Sequence, residues 1–118
     1  MNGLSRLLMA IVAVLSACGK VSADSRVVFL GDSVTRAVRP GVTPDQTFCT
    51  LFEKGFRASG VPVESINAGV GGNTTADALA RFEPDVLARK PDFVVIMFGL
   101  NDSWIDEGKT RTRLTVAQ

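Results

Sequence analysis

The chain has 118 residues, 46% hydrophobic and 21% charged, with a formal net charge of +1. That length holds one domain at most. A near-neutral balance with no basic tail or cluster gives no argument for nucleic acid or another anionic partner, and no internal repeat or low-complexity tract is visible.

The N-terminus reads as a targeting segment. Arg6 is followed by an uncharged run from Leu7 to Leu15, about the length of a signal-peptide apolar region and shorter than the roughly 20 residues a spanning helix needs. A buried core helix is the alternative, but it would lie at the extreme N-terminus with no polar face. Residues 1–23 are therefore expected to be a signal peptide, with the domain on residues 24–118. Two cleavage sites compete. Leu15-Ser16-Ala17-Cys18 resembles a bacterial lipobox, in which Cys18 would be lipidated. Val21-Ser22-Ala23 offers small residues to an ordinary signal peptidase, which would start the mature chain at Asp24. The lipobox abuts the apolar run, which favours a lipoprotein of the bacterial periplasm or outer membrane over a soluble secreted protein. Membrane contact would come only through the signal peptide or acyl chains.

From Arg26 onward, short apolar runs alternate with helical stretches, the pattern of βαβ units on a parallel sheet. Val27 to Leu30 is apolar at consecutive positions, as in a strand covered on both faces, and it ends in Gly31-Asp32-Ser33. A helix is expected from Thr43, with Pro44 at its first position and Gln46 completing a capping box. Phe48, Leu51, Phe52 and Phe56 form its apolar stripe, and Ser59-Gly60 ends it. Cys49 reads as a small buried hydrophobe within that stripe. Val61 to Asn67 is a second strand whose Pro62 and mixed polarity place it at an edge.

After a glycine-rich turn comes a helix capped by Asn73 or Thr74, with Leu79 and Phe82 facing inward. Pro84 is expected to break it and open a short second helix through Arg89. Asp92 to Phe98 is apolar without alternation and so should be central. Right-handed crossovers then favour the spatial order 2-1-3, the beginning of a flavodoxin-like three-layer α/β/α sheet. Trp104 to Lys109 is loop-like, and Thr110 to Gln118 could open a further helix. With no fourth strand in the pattern, strand three lacks an outer partner, so the domain is expected to be incomplete.

In an open parallel sheet, reacting groups gather beyond the carboxyl ends of the strands. Those ends carry Ser33, the Gly71-Gly72-Asn73 turn and Asn101. A hydroxyl beside backbone and amide donors is the set that acyl transfer needs. The hydroxyl attacks a carbonyl carbon, and the donors hold the resulting oxyanion. The glycine turn lacks the lysine and the Gly-x-Gly-x-x-Gly spacing of a nucleotide cradle. Ser33 alone could simply cap a helix.

Gly31-Asp32-Ser33-Val34, Asn67-Ala68-Gly69-Val70-Gly71-Gly72-Asn73-Thr74 and Gly99-Leu100-Asn101-Asp102 together resemble the first three sequence blocks of the SGNH (GDSL-like) hydrolases, in the family's order. The resemblance implies an ester hydrolase that uses no metal or organic cofactor. It makes Ser33 the nucleophile and places the Ser33 backbone N–H, Gly72 and Asn101 in the oxyanion hole. Asp32 and Asp102 would only fix loops. Trp104 would be a lid or a wall of the acyl site. Substrates would be small-molecule, lipid or carbohydrate esters such as acetylated sugars, lysophospholipids or simple aryl and alkyl esters.

The family's last block, an Asp-x-x-His that supplies the general base and its orienting carboxylate, is missing. The sequence contains no histidine, so Asp106 and Glu107 cannot stand in for it. The expectation is the N-terminal part of an exported esterase, inactive or nearly so as this chain. A catalytically dead ester- or glycan-binding domain and a fragment without function are the alternatives.

Overall fold

A computed structural model describes residues 24–115; the signal-peptide and Cys18 expectations fall outside them. Strand β1 (Arg26–Gly31) pairs in parallel with β2 (Glu64–Gly69) on one side and with β3 (Phe93–Met97) on the other. The order is therefore β2-β1-β3, as the crossover argument requires. Helices on both faces make this an incomplete three-layer α/β/α sheet in the flavodoxin-like order.

The unbroken apolar run of β1 is explained by what lies on its two faces. Val28 and Leu30 pack with Ala78 and Val86 on one side, with Ile66, Ala68, Phe82 and Phe98 around them. Val27 and Phe29 pack with Cys49 on the other, against Phe48, Phe52 and Phe93. The Phe29 ring meets Phe48 and Phe52 edge-on, at centroid separations of 4.9 and 5.2 Å, the arrangement that the ring quadrupoles favour.

The helices begin and end where backbone groups find partners. After a short helix α1 (Ser33–Arg36), the expected long helix is split. The Thr43 N–H donates to Gln46 Oε1 at 2.9 Å, but this opens only a 3-10 turn, Pro44–Gln46. Thr47 is extended and caps α2 (Phe48–Ala58) afresh. Leu51 is not on the buried stripe. It stands 53% exposed, because the inward line runs through Phe48, Phe52 and Phe56 at four-residue steps, with Cys49 beside it. The Ser65 hydroxyl on β2 pins α2 to the sheet through Glu53 Oε2 at 2.8 Å and the Cys49 carbonyl at 3.0 Å.

Thr74, not Asn73, caps α3 (Thr75–Ala80), in a reciprocal box with Asp77. The break expected at Pro84 falls earlier, at Arg81. Pro84 sits within the next short helix, α4 (Phe82–Asp85). Its ring cannot tolerate the carbonyl four residues back, so the helix must end before it. Leu79 is 78% exposed and Ala78 takes the inward position in its place, while Phe82 packs inward as expected.

Among the described residues strand β3 has no outer partner, as the lack of a fourth strand in the pattern implies. It occupies the edge of the described sheet, and Val94 to Met97 are exposed, Ile96 by 62%. An apolar strand needs cover on both faces and a neighbour on both sides, and among the described residues only β1 pairs with it. Residues 110–115 form no helix. They fold back as loop, with Arg113 N–H donating to the Trp104 carbonyl and Leu114 N–H to that of Asp102.

Candidate active site

All three sequence blocks lie at the carboxyl end of the sheet, and hydrogen bonds tie them together. Asp32, 2% exposed, caps α1 by accepting the Val34 N–H at 2.9 Å. Ser33 is therefore the first helical residue and not the cap, and it is exposed. Among the described residues, no acceptor takes the backbone N–H of Ser33 or of Gly72. Gly72 has φ +80, the left-handed region that glycine enters freely.

Asn101 closes the arrangement from β3's side. Its Nδ2 donates to the Asn73 carbonyl at 2.9 Å and lies 3.5 Å from Asp32 Oδ2. The first is a full hydrogen bond. The second is too long to hold its hydrogen firmly. Asp102 anchors the same loop by accepting the Thr75 hydroxyl and the Thr75 N–H. The hydroxyl, helped by the N–H, holds the Asp102 carboxyl below its ordinary range.

Two shallow cavities flank the strand ends. One of about 290 Å³ is bordered by Arg36, Val38, Thr47 and Asn67. The other, about 490 Å³, is bordered by Thr75, Gly99, Asp102 and Leu114. A groove around Arg26, Glu53 and Glu64 lies at the opposite end of β1, roughly 15–20 Å away at strand rise, and so belongs to no chemistry at Ser33. Trp104 is exposed beside the third block. Asp106 is engaged by Arg113 at 2.6 Å, which lowers its pKa. Among the described residues, no group of three or more Cys, Asp or Glu could hold a metal ion, and no helix is long and apolar enough to cross a membrane.

A model of the GDSL-like lipase/acylhydrolase family matches residues 29–118. The chain belongs to that family. This SGNH chain is 35% identical over 94 residues to an acetylxylan esterase of Geobacillus stearothermophilus, covering 72% of this chain and 43% of the relative. It is 40% identical over 89 residues to the lipoprotein YqeF of Bacillus subtilis, covering 72% and 35%. The crystal structure of Axe2, an acetylxylan esterase from G. stearothermophilus, superposes with a TM-score of 0.59 at 35% identity, covering 73% of this chain and 43% of that one. Two further Axe2 structures are described as catalytic mutants. One has an aspartate replaced by alanine, the other a histidine three positions on. The chain thus spans less than half the length of these relatives.

Sequence reasoning missed Arg81. A lone arginine ending an amphipathic helix reads as a solvated charge, yet its side chain is only 17% exposed and its guanidinium lies among the strand ends. Pro84 and Asp85 held the signal, since a helix forced to break at residue 81 frees that side chain to turn inward.

Cys49 takes no part in the site. It is a free, buried thiol, and burial pushes its pKa up to about 11 from an ordinary 9.0. Two units mean about 10²-fold less thiolate at neutral pH. The folded chain is expected to react with a thiol reagent at pH 8 at least that much more slowly than free cysteine. Because the folded value is the raised one, the associated stability is complete below pH 9 and is lost as pH climbs through about 11. Rates of alkylation and of unfolding across pH 7–11 check both; alkylation at pH 8 as fast as a model thiol would contradict the burial.

Proposed function

We propose that this chain is the N-terminal part of an exported serine ester hydrolase, with Ser33 as nucleophile. The Ser33 and Gly72 N–H groups and the Asn101 amide form its oxyanion hole. The observation that carries the reading is the hydrogen-bonded convergence of Asp32, Asn73 and Asn101 around an exposed Ser33. In the reaction, Ser33 Oγ bonds to the ester carbonyl carbon and its proton passes to a general base. The alcohol leaves, and water then releases the acid from the acyl-enzyme. The loosely held second hydrogen of Asn101 Nδ2 is the one available to the oxyanion.

The base is an imidazole that this sequence does not contain. The catalytic aspartate and histidine of Axe2 support an Asp-x-x-His segment as its source. Without it, only the oxyanion-hole and binding effects would remain, about 10³–10⁴ over water in the comparable serine-protease case. Acetylated sugars lead the substrate candidates because an acetylxylan esterase is among the relatives. Lysophospholipids and simple esters follow.

On export the leader would be cut either after Ala17, leaving a lipidated Cys18, or after Ala23, leaving a free Asp24. The lipoprotein relative favours a lipid on Cys18 over a free Asp24, a choice that mass spectrometry of the mature N-terminus decides.

The test of the chemistry is a fluorophosphonate probe on the chain continued past Gln118 with an Asp-x-x-His segment. Label is expected on Ser33 and is expected to vanish in Ser33→Ala. Label surviving that substitution would place the nucleophile elsewhere. Stable folding with no label at all would favour the second reading, a non-hydrolytic ester- or glycan-binding domain.

A further inference from the structure

We propose that Arg81 is a positioning residue of this site. Its guanidinium is the brace that holds the Gly72–Asn73 turn, and through it the Asn101 amide, against the Ser33 loop. The geometry is that of one planar group reaching several elements. Nη2 donates to the Gly31 carbonyl at 2.9 Å, two residues before Ser33. Nη1 donates to the Ala68 carbonyl in β2 at 2.9 Å and to Asp85 Oδ2 at 2.6 Å. Nε donates to Asn73 Oδ1 at 2.7 Å. The Asn73 carbonyl in turn accepts from Asn101 Nδ2 at 2.9 Å. One side chain thus spans the first two sequence blocks directly and the third through a single residue.

Bonds from a charged donor in a largely dry position are the strong kind. The Gly31 carbonyl is already engaged by the Val70 N–H at 3.0 Å, so the arginine supplies its second acceptor bond. Only a fixed fork of five N–H groups can serve these four oxygens at once; an ammonium has three donors on a point charge and no fork. The Asp85 carboxylate accepts from the same Nη1 that serves the Ala68 carbonyl, and among the described residues it is not bonded to the glycine turn or to Asn101, whose link to the guanidinium runs through Nε and Asn73.

The role in acyl transfer rests on the reading of Ser33 and Asn101 given above, whereas the brace itself can be read without turnover. The experiment is ¹⁵N NMR of the 118-residue chain and its Arg81→Lys, Asn73→Ala and Asp85→Asn variants. It follows solvent exchange of the Asn101 side-chain amide beside the backbone amides of Val28 and Leu30. Arg81→Lys is expected to speed exchange of the Asn101 amide at least about tenfold, the loss of one charge-assisted bond's worth of order. Val28 and Leu30 should stay protected. Asn73→Ala, which cuts only the guanidinium's link to the turn, should shift the Asn101 amide in the same direction, and Asp85→Asn should leave it within about twofold.

The proposal is overturned if Arg81→Lys and Asn73→Ala both leave the Asn101 amide as in the parent. It is equally overturned if Asp85→Asn moves that amide as far as they do. Should Arg81→Lys fail to fold, Asn73→Ala decides alone. A brace seen by NMR in a chain whose extended form takes no fluorophosphonate would retain Arg81's structural role and reject the acyl-transfer reading instead.

Discussion

In the chain continued with its general base, Ser33→Ala is expected to lower kcat by about 10⁶, the scale on which loss of a serine nucleophile is felt. Asn101→Ala should cost about 10²–10³, as removal of one oxyanion donor does elsewhere. Gly72 separates a donor from a side-chain requirement. Its contribution would be a backbone N–H, which alanine keeps, and a Cβ at this position meets nothing within 4 Å. Only φ +80 opposes the change, a strain of about 1–2 kcal/mol. Gly72→Ala should therefore lower stability while leaving kcat within about tenfold of the parent. Steady-state kinetics on an aryl acetate measure all three. Asn101→Ala as active as the parent would remove the asparagine from the oxyanion hole. Gly72→Ala as damaging as Asn101→Ala would mean that the turn acts through its shape and not through its N–H.

Much of the architecture was legible because local rules and tertiary packing agree there. The β1 run has no polar position to spare, and both of its faces are in fact covered. Pro62 and mixed polarity put the second strand at an edge, where it lies, although its ladder runs over Glu64–Gly69 and does not start at Val61. The β2-β1-β3 order follows from the edge character of the second strand, the apolar runs of the first and third, and crossover handedness. The failures also share a cause. Leu51 and Leu79 read as inward on hydrophobicity, yet each is exposed, whereas the exposure of β3 is what a strand without an outer partner should show. Burial depends on a neighbour's presence as much as on a side chain's character, and a residue's own sequence window does not contain its neighbour.

The gathering of Ser33, the glycine turn and Asn101 at one end of the sheet was legible, since their spacing carries the family resemblance. The site was not legible in Arg81 or in the hydrogen bond from Asn101 to the Asn73 carbonyl. The first depends on a helix break that turns a charged side chain toward three backbone carbonyl or amide oxygens. The second joins residues 28 positions apart through the chain's path in space. Asp32 lay between the two cases. Its carboxylate as a loop acceptor was readable from the motif, whereas its near-complete burial and its approach to Asn101, 69 positions on, belong to the chain's path in space.

Gly69→Ala is expected to abolish the native fold, and Gly71→Ala, two residues on in the same motif, is expected to be tolerated. At Gly69 a Cβ would stand 2.2 Å from the Arg36 nitrogen, 2.6 Å from its Cα and 2.7 Å from the Thr35 carbonyl carbon. All three are backbone atoms of α1, and α1 cannot retreat. Asn67 Nδ2 holds the carbonyls of Thr35 and Arg36 at 3.0 and 3.3 Å, and the same side chain accepts the Gly69 N–H at 2.9 Å. Moving α1 aside would break that clamp and shift Ser33, the first residue of the helix. Overpacking against a rigid backbone belongs among the rare substitutions that cost more than about 4 kcal/mol, a large part of any small domain's stability. At Gly71 the nearest atoms are those of the Arg36 guanidinium, 3.5 Å away. That is ordinary contact with the far end of a flexible side chain, and the cost should stay under about 1 kcal/mol. Gly31→Ala gives an intermediate diagnostic. Its Cβ would meet Thr35 Oγ1 at 1.8 Å, Thr35 Cβ at 2.5 Å and the Met97 carbonyl oxygen at 2.8 Å, so adding Thr35→Ala should remove only the first of these contacts and recover part of the loss. Denaturant titrations of the four variants rank these costs. If Gly69→Ala unfolds at the parent's midpoint, then α1 does not sit across the end of β2, and the seat proposed for Ser33 is wrong with it.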